Sequence, residues 1–163
     1  MKKILIILTA TLFITHGAKG QNLFFIGENS YPCTETITLQ TNSDKSYIND
    51  LNVLFAKQGT LGFIAVSTKT VRKVLISGKL IIYLDDGTVI ICNDAHISDY
   101  VDEIASTVYY FTIEDLIKMK KSNIRKVRYT LKCGDCYRSY EEGDYSASNK
   151  GVPTKTVITE FFE

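Results

Sequence analysis

Four cysteines carry most of the chemistry this 163-residue chain could do: Cys33, Cys92, Cys133 and Cys136. The last two form Cys133-Gly134-Asp135-Cys136, a spacing that serves a redox pair, half of a metal site or a local bridge. A structural zinc site takes four ligands and this motif supplies two. Cys33, Cys92 or His96 would have to complete it, and nothing in their spacing compels them to, so no metal is expected. As disulfides, four cysteines allow three pairings. The reading adopted joins Cys33 to the Cys133/Cys136 region, which closes a loop of about 100 residues and stabilises by about 4 to 5 kcal/mol on the chain-entropy account. Cys92 then takes the remaining partner or stays free.

Other reactive residues are sparse. His96 lies in Asn93-Asp94-Ala95-His96-Ile97-Ser98-Asp99. Asp94, His96 and Asp99 could gather a cation, but nothing fixes those carboxylates on one face, and the segment reads as a solvated acidic loop. Cys92 with His96 would make a nucleophile pair, yet Cys92 ends an apolar run, where a buried or bridged thiol is expected instead of a reactive thiolate. A Gly-rich phosphate loop, a G-x-S-x-G elbow and an H-E-x-x-H helix are all missing. No catalytic residue and no cofactor is assigned. Tyrosine is the remaining signal, with ten Tyr and no Trp. Tyr137, Tyr140 and Tyr145 share a polar segment with Arg138, Glu141, Glu142 and Asp144. Rings beside charges supply contact area at low entropy cost, which suits a protein or glycan partner; alternatively, they fold back to cover the sheet.

The elements that must position these residues centre on Lys79 to Leu131. Asp86-Gly87 between the apolar runs KLIIYL and VIIC predicts a hairpin with a two-residue type I′ loop, pairing Leu84 with Val89 and Ile82 with Ile91. Nearly continuous apolar flanks predict cover on both faces. Thr112, with Glu114 and Asp115 in the next turn, caps a helix over about 113–121, whose apolar face is Ile113, Leu116 and Ile117 and whose last turn holds Lys118, Lys120 and Lys121. Val127, Tyr129 and Leu131 alternate with polar residues in a strand. Upstream, Leu23 to Ile26 and Thr34 to Gln40 read as strands, 41–50 as a loop, and the run after Leu51 as two strands joined near Gln58-Gly59. Val71 to Ile76 is a further strand, bulged at Ser77-Gly78. Thr156 to Phe162 reads as a last strand in the same sheet.

Lys2 and Lys3, the run ILIILTATLFIT and Ala18-Lys19-Gly20 have the form of a cleaved secretory signal. That run is too short for a permanent membrane helix, which needs about 20 apolar residues. Export to the periplasm or medium places the cysteines where disulfides persist. Of the 19 basic residues, Lys2, Lys3 and Lys19 leave with the signal, so 16 face 18 acids and the mature chain carries about −2. Such a balance has no basic stripe to follow phosphates, so nucleic acid is not an expected partner.

Two resemblances add to this. Cys-x-x-Cys after a strand, with Gly151-Val152-Pro153-Thr154 before VITEFF, resembles the cysteine and cis-proline segments of the thioredoxin family, which implies thiol–disulfide exchange at Cys133 and Cys136. In that family the first cysteine opens a helix, whereas CYRSYEEGDYSASNKG has no apolar helical stripe. Separately, Asp86-Gly87-Thr88-x-Ile90, then Tyr110-Phe111-Thr112-x-Glu114-Asp115-Leu116, Lys120 and Ile124-x-x-Val127-Arg128, resembles small secreted bacterial domains of unknown function. That likeness implies fold and compartment, and assigns no functional residue. The chain is thus expected to be one α+β domain over residues 21–163, a mainly antiparallel sheet, sandwich-like or curved, with one short helix. Its expected role is a secreted or periplasmic non-catalytic binding module. The alternatives are a thiol–disulfide oxidoreductase using Cys133 and Cys136, and an inhibitor or effector acting through the Tyr137 to Tyr145 loop.

Overall fold

The computed structural model describes residues 22–59, 61–134 and 139–163. In chain order the elements are β1 (Asn22–Ile26), β2 (Asn29–Cys33), β3 (Ile37–Thr41), β4 (Leu51–Gln58), β5 (Leu61–Lys69), β6 (Val74–Leu84), β7 (Val89–Val101), β8 (Ile104–Phe111), α1 (Ile113–Lys121), β9 (Ile124–Cys133), β10 (Gly143–Ser148) and α2 (Thr154–Phe161). Eight strands close on themselves in the order β3-β4-β5-β8-β7-β6-β9-β10, with β10 returning to β3 and every neighbour antiparallel. The predominantly antiparallel sheet is as expected. It is neither sandwich-like nor merely curved: it is a barrel.

Eight strands leave an interior that side chains fill. Leu39, Leu51, Phe55, Ile64, Val66, Ile76, Leu80, Ile82, Ile90, Cys92, Tyr109, Val127, Tyr129 and Leu131 occupy it, all buried. Closure needs sharp bends, and two adjacent strands supply them. β6 shifts register between Ser77 and Ile81 around Gly78, whose φ is +77°, as the Ser77-Gly78 bulge predicts. β7 shifts between Asp94 and Ser98, with His96 at φ +57°. Where the strands part, the Thr107 hydroxyl donates to the Ile76 carbonyl at 2.6 Å and ties β8 to β6. Outside the barrel, the hairpin β1–β2 lies as a strap over β4, β5 and β8. It joins the barrel ladder at Cys33–Ala56 and covers a second small core of Cys33, Ala56, Phe63, Ala65 and Val108.

Several expectations change. The Asp86-Gly87 loop has three residues rather than two: Gly87 N–H donates to Leu84 O (3.2 Å), Leu84 N–H to Thr88 O (2.9 Å), and Gly87 has φ +88°. Asp86 favours this form because its carboxylate accepts the Thr88 N–H at 2.9 Å. Tyr83 therefore pairs with Val89, and Ile82 with Ile90. A one-residue slip exchanges faces, so Ile82 and Ile90 are buried while Val89 and Ile91 stand 47% and 52% exposed. The ribbon is covered on one face only.

The first helix is as expected in bounds and cap. Thr112 Oγ1 accepts the Asp115 N–H, and the Asp115 carboxylate accepts the Thr112 N–H, each at 3.1 Å. Its inward residues are Met119, fully buried, and Leu116; Ile113 and Ile117 face solvent. Thr156 to Phe162 is not a strand but most of a second helix. Its β-branched residues suggested a strand, yet Thr154, Val157, Ile158 and Phe161 recur with helical spacing, and all are buried or packed on the core. Tertiary partners satisfy its ends: Lys155 N–H donates to Asn123 Oδ1 (2.9 Å), and Lys120 Nζ donates to Phe162 O (3.1 Å). Among the described residues no helix is long and apolar enough to cross a membrane, and no peptide bond is cis.

Candidate functional site

Three loops meet at one end of the barrel: 42–50 after β3, 70–73 after β5, and the chain between β9 and β10. Glu141 locks them together. Its side chain is fully buried, and its carboxylate accepts the Val71 N–H on one oxygen and the Arg72 N–H on the other, both at 2.8 Å. Two charge-assisted bonds to adjacent amides fix the backbone that carries Arg72. The Arg72 guanidinium then lies 5.3 Å from the Tyr140 ring centroid, and Tyr140 meets Tyr47 edge-on at 4.8 Å. Lys45 stands 5.8 Å from the Tyr47 centroid and equally far from Tyr145. Its ammonium is held above the usual lysine range, first by a hydrogen bond with Tyr47.

Glu142 does the same locally, accepting the Cys133 N–H at 2.8 Å and the Ser139 N–H at 3.3 Å. The result is an ordered surface of Tyr140 (47% exposed), Val71 (57% exposed), Arg72, Lys45 and half-buried Tyr47. Tyr and Arg dominate contact energetics at protein interfaces, and stacking holds both here before any partner arrives.

The cysteines divide. Cys33 and Cys92 are free and buried, so the expected bridge from Cys33 to the Cys133/Cys136 region is not formed. Cys33, the last residue of the strap, is buried in the small core between strap and barrel, and Cys92 is inside the barrel. The fold gives these thiols packing roles in place of the staple read from sequence. Burial pushes both up, Cys92 to about 12 with help from the nearby Asp115 charge. Cys133, the last residue of β9, is half-buried and disulfide-bonded. Among the described residues, the next element after it is the strand β10. Cys136, Tyr137 and Arg138 lie outside the described residues, as does the signal segment.

Tyr145 is 8% exposed and turned inward, its ring 6.1 Å from that of Tyr129, and burial raises its pKa against the pull of Lys45. Of the tyrosines picked out in sequence, Tyr140 is at the surface and Tyr145 belongs to the core. Asp144 belongs to the barrel wall, paired with Arg128 at 2.8 Å and accepting the Thr130 hydroxyl at 2.6 Å. His96 is exposed on its bulge, and Asp94 accepts its N–H at 2.7 Å, which commits that carboxylate to the turn. Among the described residues no group of His, Cys, Asp and Glu is placed to hold a metal ion.

Sequence reading did not single out Lys45, Tyr47 or Arg72. Nothing local marks them, since Arg72 and Tyr140 are brought together only by barrel closure. The one available signal was Glu141 beside Tyr140 in a loop that had to cross the barrel end. No family model, no curated protein and no solved structure matches this chain.

Proposed function

We propose that this chain, exported behind residues 1–20, is a non-catalytic binding module that meets a protein or glycan partner through the Tyr47, Arg72 and Tyr140 surface. The observation that carries the reading is the Glu141 clamp. A fully buried carboxylate spent on two loop amides orders an arginine over an exposed tyrosine, and preorganised Tyr–Arg surfaces bind with little entropy left to lose. The test is a ¹⁵N chemical-shift screen of the mature protein against a glycan panel and against purified envelope proteins. Shifts should cluster at Tyr47, Arg72 and Tyr140, and the double substitution Arg72→Ala with Tyr140→Ala should weaken the hit about a hundredfold. A ligand that binds the double variant undiminished removes the reading.

Thiol–disulfide exchange is the second reading, and it draws on Cys133 being disulfide-bonded at this same barrel end. Thiol trapping across glutathione potentials separates the two. A bridge that opens near about −200 mV supports exchange, and one that resists below about −300 mV is structural.

A further inference from the structure

A closed barrel has no strand edges, so the strap matters: among the described residues β1 pairs with β2 alone and leaves its other edge open. The direction of that edge follows from one residue. Pro32 has no N–H and stands opposite Leu23, so Leu23–Pro32 is a non-hydrogen-bonded pair. By alternation Phe24 and Ile26 bond to β2, and the N–H and C=O groups of Leu23 and Phe25 point outward. The β1–β2 turn agrees, with Gly27 at φ +58° as the first of two loop residues. Strand edges are commonly blunted by Lys, Pro or a bulge. Asn22–Ile26 has none of these, and Leu23 and Phe25 stand 49% and 64% exposed.

Beside this edge is a chamber of about 210 Å³ lined by Phe24, Phe25, Ile26 and Gly27 on one wall and Ile97, Ser98 and Asp99 on the other, above Ala65 and Val108. Four consecutive residues line the first wall, as a strand edge does and a strand face does not. β7 runs free of β6 beyond Cys92, while Ser98 and Asp99 stay paired with Thr107 and Ser106 of β8 beneath the chamber. Ser106 and Thr107 of β8 complete the floor, which is therefore mixed, with the Ala65 and Val108 side chains as its apolar part. Asp99 is the charged residue among those lining the chamber; Asp102 and Glu28 follow in sequence in the turns after β7 and β1, and Glu103 is paired with Lys69 at 3.3 Å.

We propose that this cleft binds an extended peptide of alternating apolar and basic residues, which adds as a strand to β1, hydrogen-bonds Leu23 and Phe25, and places one apolar side chain in the chamber. Backbone bonds supply affinity in such strand addition, and the pocket with the Asp99 carboxylate at its wall supplies selectivity. The site is separate from the Tyr140 surface and does not rest on it.

The probe is an acetylated five-residue peptide of alternating Lys and Leu, titrated into the ¹⁵N-labelled mature protein. Shifts are expected at residues 22–27 and 97–99. N-methylation of alternate peptide amides, which removes the backbone donors and leaves the side chains, should weaken binding about tenfold or more. The exposed substitution Asp99→Lys should weaken it by a similar factor, about tenfold at low salt. Shifts elsewhere, equal binding of the N-methylated peptide, or equal binding of a Glu–Leu peptide would each overturn the proposal.

Discussion

Glu141 and Cys92 are both fully withdrawn from water and behave oppositely, because one has partners for its polar atoms and the other has no need of them. Glu141→Ala removes a fully buried carboxylate that accepts two loop amides, and a hydrogen bond to a charged group contributes about 1.5 to 3 kcal/mol. The variant should lose about 2 kcal/mol in urea unfolding, and its Arg72 and Tyr140 resonances should broaden while the barrel's do not. Unchanged stability would mean that the clamp is incidental. Cys92 gives a pH dependence. Its thiol holds a proton to about pH 12 in the folded chain, against 9.0 when free. Above pH 9 the unfolded state therefore binds fewer protons, and stability falls as pH rises, approaching about 1 kcal/mol per unit. Cys33 acts in the same direction, and Tyr109 and Tyr129, raised by burial from 10.0, join at higher pH. Comparing unfolding midpoints at pH 8, 8.5 and 9, below the ordinary tyrosine value of 10.0, isolates the thiols. Cys92→Ala should be less stable at pH 8 but show a shallower decline, and an undiminished decline would rule out Cys92 as its source.

At the scale of elements, what was legible followed from local rules. Thr112 and Asp115 cap α1 with side chains three residues apart, so its bounds could be read from sequence, as could the turn near Gly59 and the bulge at Gly78. What failed depended on groups distant in sequence. The β6–β7 register turned on whether Asp86 would close a two- or three-residue loop, and α2 is helical because 120–124 satisfies its ends. The exposed surface was legible only in Tyr140, since Arg72 reaches it across barrel closure. The dependence of α2 on its surroundings can be tested at Thr154, which is buried and accepts the Ile124 N–H at 2.7 Å. Thr154→Val keeps the shape and orphans that amide, so it should cost about 1 to 3 kcal/mol, and Thr154→Ser, which keeps the acceptor, should cost less. The reverse order, measured by thermal unfolding, would show that volume matters there and the hydroxyl does not. Gly62 is constrained differently. Phe111 pairs with it in register, and a Cβ there would collide with the Phe111 ring and press on that of Phe162.

The whole molecule is two cooperative parts of unequal strength. The barrel is a closed ring in which each strand is held on both sides, around one filled core. Among the described residues the strap is joined to it by the Cys33–Ala56 ladder pair, the Thr34 N–H to Phe55 O bond at 2.8 Å, the Phe55 N–H to Thr34 Oγ1 bond at 3.1 Å, and packing of Phe24, Ile26 and Tyr31 on the small core, with the Phe24 and Tyr31 rings 5.8 and 5.1 Å from Phe63. Few buried contacts and few hydrogen bonds define a segment that opens below the global unfolding free energy. The two free thiols report on the two parts: Cys33 ends the strap and is buried in the small core between strap and barrel, and Cys92 is inside the barrel. Under native conditions a thiol reagent should therefore label Cys33 at least about 100-fold faster than Cys92. The Cys33 rate should respond weakly to urea, because little surface is exposed when the strap lifts, and the Cys92 rate should carry the full denaturant dependence. If both thiols labelled with the same free energy and the same urea slope, strap and barrel would open as one unit, and a peptide could reach the inner edge of β1 only through the chamber mouth.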